Sequence, residues 1–232
     1  MLVKIFADGA RLDDMLAASK SGNISGLTTN PTLMRQAGLT DYVAFAKSVL
    51  AKITDLPISF EVFADDFPTM EKQAREIATW GDNVYVKIPV TNTKCEPAAP
   101  LIAKLAKEGV KLNVTAILTL DQVKEVVNAL DANVPAVVSV FAGRIADTGR
   151  DPMPLMKEAL KICAAKPKAE LLWASPREVL NIYQADEIGC HIITVTPDLI
   201  KKLALKDKDL AQYSLETVEM FYRDAMAAGF SI

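Results

Sequence analysis

The chain has 232 residues, 50% of them hydrophobic and 24% charged, with a net charge of −3 and a pI near 5.3. This acidity argues against general nucleic-acid binding, and a single histidine, His191, excludes a zinc site or catalytic triad built on several histidines. Cys95, Cys163 and Cys190 are odd in number and widely spaced, which forms no metal-ligand pattern or disulfide framework and predicts a reducing, cytoplasmic setting.

No apolar run is long enough to span a membrane, and the start, MLVKIFADGA, carries a lysine and an aspartate where a signal peptide needs an apolar core. There is no GxGxxG or phosphate-binding P-loop. Short apolar runs predict strands at Val3–Ala7, Ser25–Thr28, Ile58–Val62, Val84–Ile88, Lys111–Thr115, Ala136–Val140, Leu171–Ala174 and Ile192–Val195. Amphipathic segments such as Leu101-Ile102-Leu105-Val110 alternate with them. Thr119 with Gln122 and Ser175 with Glu178 match capping boxes, and Asp151-Pro152, Ser175-Pro176 and Thr196-Pro197 place a cap residue before a helix-starting proline. Eight strands alternating with helices predict a single parallel (β/α)₈ barrel domain over residues 1–232, with an open doubly wound sheet as the other possibility. A final helix over about 207–228 packs outside the barrel or against another subunit.

A barrel concentrates chemistry where its strands end at the carboxyl face. Asp8, Thr28, Asn30, Glu61, Lys87, Asn113, Thr115, Ser139, Phe141, Arg144, Ser175 and Arg177 all fall at or just beyond predicted strand ends. Alternation puts Ser59 with Glu61, Tyr85 with Lys87 and Asn113 with Thr115 on one face, while Phe60, Val62, Val84, Val86, Leu112 and Val114 face the other. Lys87 lies among apolar residues in Asn83–Thr91, and burial favours its neutral amine, a carbonyl nucleophile. Asp8 and Glu61 read either as its counter-ions or as proton shuttles. Asn30, Asn113 and Thr115 either satisfy backbone groups or line a pocket for a hydroxyl-rich substrate. Arg144 and Arg177 read singly as surface ion-pair residues and together as a phosphate clamp, with Ser175 at a helix start beside them. His191, Trp80, Trp173 and the cysteines read as packing residues, and Glu71–Glu76 as a solvated helix face.

Five motifs in chain order, Thr28-Thr29-Asn30-Pro31-Thr32, Val86-Lys87-Ile88-Pro89, Asn113-Val114-Thr115, Phe141-Ala142-Gly143-Arg144-Ile145 and Ala174-Ser175-Pro176-Arg177, resemble those of the transaldolases. The length is similar to the short subfamily that also contains fructose-6-phosphate aldolase. The resemblance implies a (β/α)₈ barrel and Schiff-base transfer of a dihydroxyacetone unit between sugar phosphates of the pentose phosphate pathway, with Lys87 as nucleophile and no metal or cofactor. It implies acid–base roles for Asp8 and Glu61, a water held by Thr115 with Glu61, and hydrogen bonds from Asn30 and Asn113 to donor hydroxyls. The Thr28 motif and Ser139 belong to the same pocket, and Arg144, Ser175 and Arg177 match the substrate-phosphate site. Phe141 matches the transaldolases, whereas the aldolases carry tyrosine there. Cys95 stands where the resemblance leads one to expect glycine. Rings of five or ten subunits, with the C-terminal helix on a neighbour, are also implied. The alternatives are a fructose-6-phosphate aldolase and a non-catalytic sugar-phosphate-binding barrel.

Overall fold

The computed structural model describes residues 1–230. Eight parallel strands close in sequence order: β1 (Lys4–Asp8), β2 (Gly26–Thr28), β3 (Ile58–Glu61), β4 (Val84–Pro89), β5 (Leu112–Ile117), β6 (Ala136–Val140), β7 (Ala169–Trp173) and β8 (Ile192–Val195), with β8 pairing back onto β1. The open doubly wound alternative is thereby excluded. Helices α1 (Leu12–Lys20), α2 (Pro31–Gln36), α3 (Tyr42–Leu50), α4 (Phe67–Ala78), α5 (Ala99–Lys107) and α6 (Leu120–Ala129) wrap the first half. The second half carries α7 (Ala142–Asp147), α8 (Met153–Cys163), α9 (Leu180–Glu187), α10 (Pro197–Lys202) and the long α11 (Leu210–Ala228). No helix among the described residues is long and apolar enough to cross a membrane. The last two positions of the predicted single domain lie outside the described residues.

Strand alternation sorts the side chains as expected. Phe60, Val86, Ile88, Leu112 and Val114 are fully buried in the core between sheet and helices. Inside the barrel, Phe6, Val137, Leu172, Ala174 and Ile192 form a separate apolar cluster. Phe6 fits because Gly26, opposite it in register, has no side chain: a Cβ there would lie 2.5 Å from the ring. This plug fills the barrel centre and leaves the polar ends of the strands at the carboxyl mouth.

Several helix starts follow the sequence signals and others do not. Thr119 and Gln122 form the reciprocal capping box of α6. Thr196 precedes α10 with proline at the first turn but makes no side-chain cap. Asp151 Oδ1 accepts from the Met153 amide, although α8 begins only there. The Ser175–Glu178 capping box is absent. The loop continues to α9 at Leu180, and Asn181 Oδ1 accepts from the amides of Arg177 and Glu178 instead. Local competition from Asn181 therefore overrides the pattern that Ser175 and Glu178 present.

The predicted packing residues occupy packing positions, except Cys95, which is exposed. Trp80 joins Tyr42, Phe60 and Phe63 in an edge-to-face aromatic group. Trp173, Cys163 and Cys190 are buried, and burial pushes both thiols up to about 12. His191 Nδ1 accepts from the Leu171 amide at 3.0 Å, and burial favours its neutral form. Arg75 bridges Glu71 and Glu108 on the solvated side of α4. Cys95 is exposed with φ 62 in a turn closed by a Thr91–Pro97 bridge, so the backbone there is of the kind glycine adopts without strain.

Candidate active site

The carboxyl mouth opens into a cavity of about 560 Å³ lined by all twelve residues singled out from the sequence. At its floor lies Lys87, only 7% exposed. β3 and β4 pair with Glu61 opposite Lys87, and the two side chains meet at 3.2 Å. Lys87 Nζ also donates to the Thr29 carbonyl oxygen at 3.1 Å. The amine thus has two fixed acceptors and one direction open to the cavity, an arrangement that aims it. Behind Glu61, the half-buried Tyr42 donates its hydroxyl to the Glu61 carbonyl oxygen at 2.8 Å and anchors the end of β3. Tyr42 was not singled out from the sequence, since nothing local ties α3 to that carbonyl.

Asp8 ends β1, in register with Thr28 on β2, and Thr28 Oγ1 donates to Asp8 Oδ1 at 2.8 Å. Burial raises the Asp8 carboxyl above its ordinary range, outweighing the opposing pull of Lys87 and the Thr28 hydrogen bond. A raised native value means the folded state binds the proton more tightly than the unfolded one. The charged carboxylate therefore opposes folding at neutral pH, and that penalty fades as pH falls through the raised value. Asp8→Asn is expected to raise the melting temperature at pH 7, with a gain that shrinks on acidification. Calorimetry across pH checks this, and a lower melting temperature at pH 7 would contradict it.

On the opposite wall, Asn113 is buried and bracketed. Its Nδ2 donates to Ser59 Oγ at 2.9 Å, and its Oδ1 accepts from Ser139 Oγ at 2.7 Å. The two serines leave one amide hydrogen for anything entering the cavity. Ser139 thus first orients Asn113. Thr115 Oγ1 is buried and has no partner among the described residues. Just beyond it the β5–β6 register shifts, and Ala116 adopts φ 62, which turns the end of β5. Asn30 Oδ1 caps α2 by accepting from the Leu33 amide, leaving its NH₂ group free of that duty.

The last third of the lining comes from β6 and β7. The Arg144 guanidinium stacks over the Phe141 ring, 5.1 Å from its centroid. Arg177 is held by Asp147, with Nε donating to Oδ1 at 2.9 Å and Nη2 paired with Oδ2. Arg177 thus forms the exposed ion pair of its single-residue reading, and it also lines the cavity. Ser175 departs from expectation, since it adopts φ 57 and caps no helix. Its carbonyl lies so near Gly143 that a Cβ on residue 143 would sit 1.5 Å from it, and the Gly143 amide donates to Ala174 O at 3.2 Å. The glycine in Phe141-Ala142-Gly143-Arg144 is thus what lets α7 close against the β7 loop.

The cavity also includes Thr194 and Thr196 from β8 and its end, which were not singled out from the sequence. Among the described residues, no group of three or more His, Cys, Asp and Glu side chains is arranged to hold a metal ion.

Fold and mouth together define a (β/α)₈ barrel with an amine, two carboxylates and two arginines around one polar cavity. Residues 5–232 match the family model for transaldolase/fructose-6-phosphate aldolase, and the chain belongs to that family. A probable transaldolase of Dehalococcoides mccartyi is 35% identical over 215 residues, covering 91% of this chain and 96% of that protein. Another, from Thermoanaerobacter sp., is 33% identical over 232 residues and covers 99% and 100%. Among solved structures, a 3-keto-L-gulonate-6-phosphate decarboxylase from Vibrio cholerae superposes with a TM-score of 0.54 at 15% identity, covering 84% and 87% of the two chains, which is a likeness of fold.

Proposed function

We propose that this chain is a transaldolase, transferring a dihydroxyacetone unit from fructose 6-phosphate or sedoheptulose 7-phosphate to glyceraldehyde 3-phosphate or erythrose 4-phosphate in the pentose phosphate pathway. The observation that carries this is the buried Lys87, paired with Glu61 at 3.2 Å in the cavity that Asp8 also lines. The names of the relatives, probable transaldolases, point the same way. Lys87 Nζ gives a proton to Glu61 and adds to the ketone C2, and loss of water leaves an imine. Asp8 accepts the proton of the C4 hydroxyl as the C3–C4 bond breaks, the aldose phosphate departs and an enamine remains on Lys87. An acceptor aldehyde then reverses these steps, and hydrolysis frees the new ketose. Thr115, whose hydroxyl lacks a partner among the described residues, holds with Glu61 the water that enters and leaves. Asn30 and Asn113 bind the donor hydroxyls, and Arg144, Ser175 and Arg177 hold the phosphate. Phe141 has no hydroxyl with which to protonate the enamine, so the intermediate persists until an acceptor arrives.

Borohydride reduction in the presence of fructose 6-phosphate tests this reading. Peptide mapping should place a reduced dihydroxyacetone adduct on Lys87, and folded protein without an adduct would overturn the assignment. Free dihydroxyacetone accumulating without an acceptor would instead identify an aldolase.

The cytoplasm is the proposed compartment, and a homo-oligomeric ring of five or ten subunits the proposed assembly. α11 has no buried residue, and Leu215, Val218, Tyr222 and Met226 form an exposed stripe at helical spacing. A neighbouring copy covers that stripe. Val218→Glu combined with Tyr222→Glu is expected to convert the oligomer to monomers in sedimentation velocity. An unchanged sedimentation coefficient would exclude α11 as the interface.

A further inference from the structure

Asp8 stands at the end of a chain of hydroxyls that crosses three neighbouring strands. β1 lies between β8 and β2, with Thr194 opposite Phe6 and Thr28 opposite Asp8. The Thr194 hydroxyl reaches past β1 to the Thr28 hydroxyl at 2.5 Å, and Thr28 donates to Asp8 Oδ1. Both threonines are buried, and their β-branched side chains are stiff about χ1.

We propose that Thr194 is a positioning residue for the proton-accepting carboxylate: by donating to Thr28 it commits the Thr28 proton to Asp8 Oδ1 and leaves Oδ2 to receive the substrate proton. The polarity follows from proton counting. An ionised carboxylate only accepts, so Thr28 must donate its one proton to Asp8, and its remaining lone pairs can only accept. Thr194 then has to donate to Thr28. Reversing any link would leave two hydrogens, or none, between a pair of oxygens. The proton leaving the C4 hydroxyl therefore ends on Oδ2, and the Thr28 bond to Oδ1 survives the step. A donor that is itself hydrogen-bonded is a stronger donor, so Thr194 also supports the charged carboxylate against its burial. Lys87 on β4 is the charge that acts on Asp8, and Glu61 on β3 faces Lys87. The threonines on β2 and β8 add donors without charge.

This inference rests on Asp8 as the base in carbon–carbon cleavage. Thr194→Val preserves shape and removes the donor, while Thr194→Ser keeps it. Loss of one hydrogen bond to the chain predicts a fall in kcat of about tenfold for Thr194→Val, with the KM for fructose 6-phosphate within about twofold. The acid limb of the kcat–pH profile should move to higher pH, because the ionised carboxylate loses support. Thr194→Ser should restore both rate and profile, and a reduced adduct of intact fructose 6-phosphate on Lys87 should be trapped in both variants, since formation of the first imine does not use Asp8. A Thr194→Val enzyme with unaltered kcat and acid limb would overturn the proposal, as would a variant in which only KM rises. An unmodified protein that forms neither product nor Lys87 adduct would instead refute the transaldolase reading itself.

Discussion

Lys87→Met is expected to reduce turnover by about 10⁴-fold or more, because removing a covalent nucleophile abolishes the whole pathway that runs through it. Methionine keeps the unbranched aliphatic stem that packs at the barrel floor, so the fold should persist. Only the contacts to Glu61 and the Thr29 carbonyl are lost. Glu61 is left without its cation but lies in the cavity mouth, where water can reach it. The measurements are a coupled transaldolase assay, a far-ultraviolet circular dichroism spectrum and the borohydride adduct. Retained turnover in a folded Lys87→Met protein would refute the Schiff base. Loss of turnover together with loss of fold would leave the adduct map on the parent protein as the deciding observation.

The second large effect lies away from the chemistry. Gly143→Ala places a methyl group 1.5 Å from the Ser175 carbonyl oxygen, a backbone atom that no rotamer change can move. The clash can be relieved only by displacing α7 from the β7 loop, and overpacking of this severity destabilises by about 3 kcal/mol. For a chain of this size that is a fall in melting temperature of about 6–12 °C. Arg144 rides on α7, while Ser175 and Arg177 ride on the displaced loop. The KM for sugar phosphates is therefore expected to rise about tenfold, with a smaller change in the rate of Lys87 adduct formation at saturating substrate. An unaltered melting temperature and KM would show that the contact is dispensable.

Strand periodicity made the barrel legible because each strand's alternation is local and its outward faces are continuously apolar, as in Val84, Val86 and Ile88. The strand limits differ most at β5, predicted at Lys111–Thr115 and found at Leu112–Ile117, and at β7, predicted at Leu171–Ala174 and found at Ala169–Trp173, and the final helix begins at Leu210 rather than near 207. Position relative to a strand end was enough to bring the twelve selected residues to one cavity. The same alternation also contained Thr194, a polar residue at an inward position of Ile192–Val195, and it was passed over because one threonine in a short apolar strand carries no signal by itself.

Local patterning along the chain specified the alternation of strands and helices and the residue types gathered at one end of the barrel. Both depend on near neighbours in the chain. Tertiary structure alone decided the hydrogen-bond partners: Thr194 to Thr28 spans 166 positions, Asn113 to Ser59 spans 54, and Arg177 to Asp147 spans 30. It also decided the backbone of Ser175, whose left-handed conformation reflects its contact with Gly143 rather than any preference of serine. Closing the barrel sets the register, and register brings distant side chains within a hydrogen bond of one another.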